Sequence, residues 1–276
     1  MNKENLDTNN KTKEEIKDER KHNPFLKRPL KSTNIKNIIA VLSGKGGVGK
    51  SMTTSMLAVK LRKQGYKVGI MDADITGPSI PKMFGSKSKL FGTDEGILPV
   101  ESKKLGIKLM SVNYMLDSEE DPVLWRGPVL GGVIHQFYQE VVWGELDYLL
   151  IDMPPGTGDV ALTIFQSLPV DGIVIVTSPQ SLVSMIVSKA VNMAEKMNIP
   201  VLGLVENMSY VLCPNCDERI EIFNKSTIHE VADNFNLEIL AEMPIDPKLA
   251  ALADSGKIED VELTLLDQVV EKCQNI

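Results

Sequence analysis

The 276-residue chain is predicted to fold as a doubly wound α/β domain, a mostly parallel sheet flanked by helices. Three observations carry that expectation. Short apolar runs alternate with amphipathic stretches from about residue 36 onward, the pattern of βαβ units. A glycine-rich segment, Gly44-Lys45-Gly46-Gly47-Val48-Gly49-Lys50-Ser51, follows directly on the apolar run Ile38-Ile39-Ala40-Val41-Leu42. Two further apolar runs end in carboxylates, Asp72 and Asp152, at the strand C-termini where an open α/β sheet gathers its chemistry.

The first strand is expected over 37–43. Met52, Met56 and Val59, at spacings of four and three, with Leu57 and Leu61 beside them, predict a helix after the glycine-rich segment. Gly65 is placed to close it. A second strand covers 67–72. Residues 76–104, rich in Gly, Pro and Ser, read as a long functional loop with at most one turn of helix. A strand over 107–112 and a helix over 129–142 lead to Tyr148-Leu149-Leu150-Ile151-Asp152, an uninterrupted run of the kind a buried parallel strand needs. Residues 172–176 repeat that theme, and Leu182, Ile186, Ala190, Met193 and Met197 mark one helical face. Strands over 200–205 and 237–241 and helices near 246–254 and 262–273 complete the pattern.

Residues 44–51 fit the phosphate-loop pattern G-x-x-x-x-G-K-[ST], with a strand before and a helix after. Glycines let the backbone curl until successive N–H groups face one anion. Gly44, Lys45, Gly46, Gly47, Val48, Gly49, Lys50, Ser51 and the following Met52 are therefore the candidate ATP-binding residues. Lys50 suits the β- and γ-phosphates, and the Ser51 hydroxyl suits Mg²⁺. Phosphoryl transfer also needs carboxylates to orient water and serve the metal. In Asp72-Ala73-Asp74, Asp74 is assigned to the water and Asp72 to the metal environment. Asp152 is the Walker B-type acid, and Gly156 would set an amide beside the γ-phosphate as a switch. Asp159 is a candidate cap of the next helix. Lys45, Lys50, Asp74 and Asp152 form the candidate catalytic set.

Composition narrows the class. At 43% apolar residues the chain can bury a large core. It has no run of eighteen apolar residues, so no membrane-spanning helix is expected. The start, Met-Asn-Lys-Glu-Asn-Leu-Asp, lacks the apolar segment of a signal peptide, and the cytoplasm is the expected location. Of the net charge of −7, residues 1–36 carry +4, from ten Lys or Arg and six Asp or Glu, and the remainder −11. An acidic body argues against nucleic acid as a partner. Residues 1–35 are expected to form a disordered polar extension ahead of an ATPase domain over 36–276.

The three cysteines do not make a disulfide framework. Cys213-Pro214-Asn215-Cys216 offers two thiolates to one side of a metal or cluster, whereas tetrahedral zinc and a four-iron cluster want about four protein ligands. Cys273 lies in a helical pattern and reads as a packing residue, and His22, His135 and His229 have no ligand-like spacing. One chain is thus two ligands short, and a symmetric dimer would supply them. A dithiol redox pair and a dimer-shared zinc ion stay open on this reading.

Lys45, at the start of the phosphate loop, resembles the signature lysine of the deviant Walker A ATPases, the MinD/ParA and nitrogenase iron-protein group, which acts across a dimer interface. The chain further resembles the Mrp/ApbC family of iron–sulfur cluster carrier ATPases over residues 36 to about 256. The matching stretches are 44–51, Asp72-Ala73-Asp74, Gly77 to Pro81, Trp125-Arg126-Gly127-Pro128, Asp147 to Asp159, Ser178-Pro179-Gln180, and Asn207-Met208-Ser209 leading to Cys213 and Cys216. That resemblance implies a homodimer that binds ATP, hydrolyses it slowly, holds a labile 4Fe-4S cluster between subunits and passes it to apo iron–sulfur proteins, with cluster scaffold proteins as further partners. It also implies that Asn207 contacts adenine and that Trp125-Arg126 lies at the subunit contact. Two departures stand out: Asn224-Lys225-Ser226-Thr227 replaces a glycine cluster, and Ile186 replaces a carboxylate. The alternative is a positioning ATPase of the MinD/ParA type with a dimer-shared structural zinc. The tail 261–276, with Lys272 against Glu262, Asp267 and Glu271, is too acidic for an anionic membrane. A nitrogenase-type reductase would draw its cysteines from two distant loops instead of a close pair.

Overall fold

A computed structural model describes residues 24–116, 127–179, 183–223, 226–262 and 265–276. The sheet is organised around β1 (Asn34–Ser43), which lies between β7 (Glu145–Asp152) and β8 (Gly172–Thr177), parallel to both. On one side follow β2 (Val68–Asp72), β6 (Lys108–Met110) and the short β5 (Val100–Glu101). On the other lies β9 (Val201–Leu212), which pairs with both β11 (Ile239–Pro244) and β10 (Arg219–Ile220). Among the described residues only β5 and β10 run antiparallel to their neighbours in this sheet. The doubly wound expectation holds.

The central strand shows why both faces need helices. Alternate residues of a strand point to opposite sides. Ile38, Ala40 and Leu42 join one apolar cluster, Ile39 and Val41 the other, and all five are almost wholly buried. The first cluster is filled from α3 (Gly127–Gln139), α4 (Asp159–Ser167), α5 (Val183–Lys196) and α6 (Ile228–Phe235). The second takes Met56, Leu57, Val59 and Leu61 from α1 (Lys50–Lys63), Ala253 from α7 (Pro247–Asp254), and Val269, Val270 and Cys273 from α8 (Asp267–Gln274). The α1 helix stops where Gly65 adopts φ +96, a left-handed value suited to glycine. Lys60, Arg62 and Lys63 in its last turn complement the helix dipole.

The expected loop over 76–104 contains one helical turn, α2 (Ile80–Met83), but also a small hairpin of β3 (Phe91–Gly92) and β4 (Ile97–Leu98), followed by β5. Two-residue strands carry no readable alternation. The final helix begins at Asp267, later than the expected 262, and α6 was not anticipated. The strand expected over 200–205 runs on to Leu212 and carries the chain up to the cysteines. Residues 1–23 of the expected extension lie outside the described residues. Its last part is tied to the domain: the Lys27 N–H donates to Ser167 O at 2.8 Å, and the Gly144 N–H to Thr33 Oγ1 at 3.3 Å. Among the described residues no helix is long and apolar enough to cross a membrane.

Candidate functional site

The end of β1, the start of α1 and the ends of β2 and β7 meet at one point. Gly47 at φ +78 and Gly49 at φ +84 take left-handed conformations that turn the loop back into α1. A Cβ on Gly49 would stand 2.0 Å from Asn207 Nδ2, and one on Gly44 would stand 1.7 Å from Ile186 Cγ2. The loop is therefore backed by Asn207 in the middle of β9 and covered by Ile186 of α5. The apolar residue at the second departure from the family pattern packs directly on the phosphate loop.

Lys50 is buried, with Nζ 2.8 Å from Asp152 Oδ1 and 3.6 Å from Asp74 Oδ2. Ser51 Oγ donates to Asp152 Oδ2 at 2.5 Å and Thr54 Oγ1 to Asp152 Oδ1 at 2.9 Å. Asp72 sits opposite Asp152 in the β2–β7 ladder, so the two acids emerge side by side. Ser111 Oγ donates to Asp72 Oδ2 at 3.1 Å. Burial pushes the Asp72 carboxyl up to about 8, with the Asp152 charge adding and Lys50 opposing. Asp74 is also raised by burial, against the pull of Lys50. Thr54 and Ser111 were not singled out from the sequence. Thr54 follows Lys50 by one helical turn and so shares its face; Ser111 carried no local signal.

Three carboxyl groups thus gather around one lysine, that of Asp72 holding its proton near neutral pH while Asp74 and Asp152 pair with Lys50. A hard divalent ion with oxygen ligands, Mg²⁺, fits the Ser51 hydroxyl beside the Asp152 carboxylate. Met52 is partly buried against the second apolar cluster. Lys45 is half-buried, its carbonyl accepting the Ser43 hydroxyl at 3.0 Å. Gly156, at φ +86, gives its N–H to Ser43 O at 2.7 Å, on the rim of the same loop. Asn207 Nδ2 donates to Val48 O at 3.0 Å. Asp159 opens α4 as its first helical residue, and the cap position belongs to Gly158, which corrects the expected cap.

The cysteine pair stands on the same strand. Beyond its bonds to β11, β9 continues to Leu212 and returns as β10. Between them the Cys213 N–H donates to Glu218 O at 2.9 Å, and the Asp217 N–H, from a left-handed residue, to Cys213 O at 3.0 Å. This knuckle turns both thiols to one end, Cys213 half-buried and Cys216 exposed. Hydrogen bonds from the Asn215 amide, and then from Cys216, hold the Cys213 thiol below its ordinary range. Leu212, Ile220 and Ile222 flank it, each about half exposed.

Cys273 is buried in α8, its thiol pushed up to about 12 by burial, as a packing residue should be. Among the described residues no group of three or more His, Cys, Asp or Glu could hold one metal ion, so Cys213 and Cys216 have no third ligand nearby. His229 pairs with Glu242 at 2.8 Å. His22, Trp125, Arg126, Gln180, Leu182, Asn224 and Lys225 lie outside the described residues.

Residues 34–275 match the ParA family described as NUBPL iron-transfer P-loop NTPase. The chain is 48% identical over 235 residues to the iron-sulfur cluster carrier protein of Clostridium perfringens, 82% of each chain being covered. It is similar to the nucleotide-binding protein of Archaeoglobus fulgidus, solved in complex with ADP and with cobalt, at 46% identity and a TM-score of 0.76, covering 91% of this chain and 94% of that one. The Pyrococcus furiosus cell division ATPase MinD, 19% identical, matches at a TM-score of 0.59 over 86% of this chain and 97% of its own, and shares the fold.

Proposed function

Because this chain belongs to the NUBPL iron-transfer P-loop NTPase family, we propose that it is an ATP-hydrolysing carrier that holds an iron–sulfur cluster between two copies of itself and delivers it to apoproteins. One observation carries the reading: a single strand, β9, touches the phosphate loop through Asn207 and ends in the Cys213–Cys216 knuckle. Nucleotide and cargo sites share one element. Two thiols are half of the set that a 4Fe-4S cluster takes, and exposed Leu212, Ile220 and Ile222 beside them suit burial against a second copy.

At the nucleotide end, the loop amides from Gly44 to Met52 would hold the phosphates and Lys50 would turn from Asp152 toward the β- and γ-oxygens. Mg²⁺, held by Ser51 with Asp152 behind it, would supply charge neutralisation there. Asp74, beside Lys50, would orient the attacking water, and Asp72 would complete the acidic surroundings. Lys45 would reach the nucleotide of the facing subunit. The Gly156 amide, on the rim, would exchange Ser43 O for the γ-phosphate. Apo iron–sulfur proteins and scaffold proteins are the partners, in the cytoplasm, without nucleic acid or membrane.

The test is anaerobic reconstitution with iron and sulfide. The protein should gain both, with the visible absorbance of a cluster and a shift from monomer to dimer, and Cys213→Ser should gain neither. Iron and sulfide bound equally by Cys213→Ser, or zinc as the only metal retained, would reject the proposal.

A further inference from the structure

The strand joining nucleotide and cysteine sites is broken in the middle. Glu206 of β9 faces Glu242 of β11, and Tyr210 faces Pro244, so four steps of β9 run against two of β11. The surplus is a bulge over Asn207-Met208-Ser209, with Met208 at φ +58. A side chain in that left-handed conformation costs about 1–2 kcal/mol and persists only where the surroundings hold it.

The holding group is Glu206, which is fully buried. Ser209 Oγ donates to its Oε2 at 2.5 Å, spanning the bulge. Ser226 Oγ donates to its Oε1 at 2.5 Å and also accepts the Ile228 N–H at 3.1 Å, at the start of α6. Ser209 precedes the cysteine knuckle and Ser226 lies on the chain returning from it. One carboxylate therefore ties both legs of the segment bearing Cys213 and Cys216. The adjoining residue, Asn207, holds the Val48 carbonyl of the phosphate loop.

We propose that Glu206 is a positioning residue that couples the phosphate loop to the cysteine knuckle, with the bulge at Met208 as the hinge. Phosphates drawing on the loop amides move the Val48–Gly49 peptide, and Asn207 passes that movement to the bulge. With both serines bonded to Glu206, the two legs respond as one body; without them the bulge absorbs the displacement. Linkage then requires cargo on the thiols to change nucleotide affinity by the same factor as nucleotide changes affinity for cargo. This rests on the reading of Cys213 and Cys216 as the cargo site, but its test needs no cluster.

The test is the rate of alkylation of Cys213 and Cys216 by iodoacetamide in the reduced, cluster-free full chain, with and without saturating Mg–ATP. Nucleotide should change the rate about fivefold or more, a typical size for coupling between sites. In Glu206→Gln and in Ser226→Ala the ratio should collapse to about one, while ATP affinity stays within about twofold of the parent. Ser226→Thr, which keeps the hydroxyl, should retain the ratio. A parent ratio near one overturns the proposal, as does a parental ratio in folded Ser226→Ala. Loss of iron loading with this ratio intact would indict the carrier reading instead.

Discussion

Asp72→Asn is the perturbation that tests the electrostatics of the site most directly. The Asp72 carboxyl titrates at about 8 in the folded protein, against an ordinary value of 3.8. Between those values the native state keeps a proton that the unfolded chain has released, so rising pH favours unfolding. Each pH unit in that window removes about 1.4 kcal/mol of stability. By pH 7 the loss is about 4 kcal/mol, and at pH 4.5 about 1 kcal/mol. Asparagine does not titrate and keeps an oxygen for one of the two contacts Asp72 accepts, from Ser111 Oγ and the Asp74 N–H. The contact left without an acceptor costs about 1 kcal/mol. The variant should therefore gain about 3 kcal/mol at pH 7, about 5 °C in Tm for a chain this long, and nothing in acid. Urea unfolding of both proteins at about pH 4.5, 6 and 7.5 measures the difference. A difference that does not widen with pH would refute the reasoning. ATP turnover should fall in the same variant on the proposed role of Asp72 in the metal environment.

Lys50→Ala should abolish nucleotide binding, whereas Lys45→Ala should bind ATP within about twofold of the parent yet turn over at least about tenfold more slowly; unchanged turnover in the latter rejects action across a dimer. Gly49→Ala places a Cβ at φ +84 and against Asn207. That should cost about 1–2 kcal/mol of backbone strain plus about 1 kcal/mol for the hydrogen bond to Val48, read by urea unfolding together with weaker ATP binding. Mass spectrometry after brief alkylation of the native, reduced protein near neutral pH should find Cys213 and Cys216 modified and Cys273 intact until denaturant is added. Early modification of Cys273 would contradict its burial in α8.

The strands over β1, β2, β7 and β8 were legible because each is a run of apolar residues, buried on both faces, between glycine, proline or acidic stops. The phosphate loop was legible because curling a backbone around an anion demands glycines at set intervals, and few other structures do. The Cys213–Cys216 pair could be read as half a ligand set by counting alone. These are local demands, and a local sequence can state them. Asp72, Asp74 and Asp152 were named from their places at strand ends, but how they stand to one another was not legible, since Asp72 and Asp152 become neighbours only through the register of β2 against β7. Thr54, Ser111 and Glu206 acquire their roles from partners on other segments, such as Asp152, Asp72 and Ser226. Residues 200–212 looked like a strand followed by a loop because a left-handed Met208 breaks the alternation, and only pairing with β10 and β11 shows that the strand resumes. Chemistry that depends on contiguous residues is written along the chain; chemistry that depends on pairing register and crossing strands exists only once the sheet has formed.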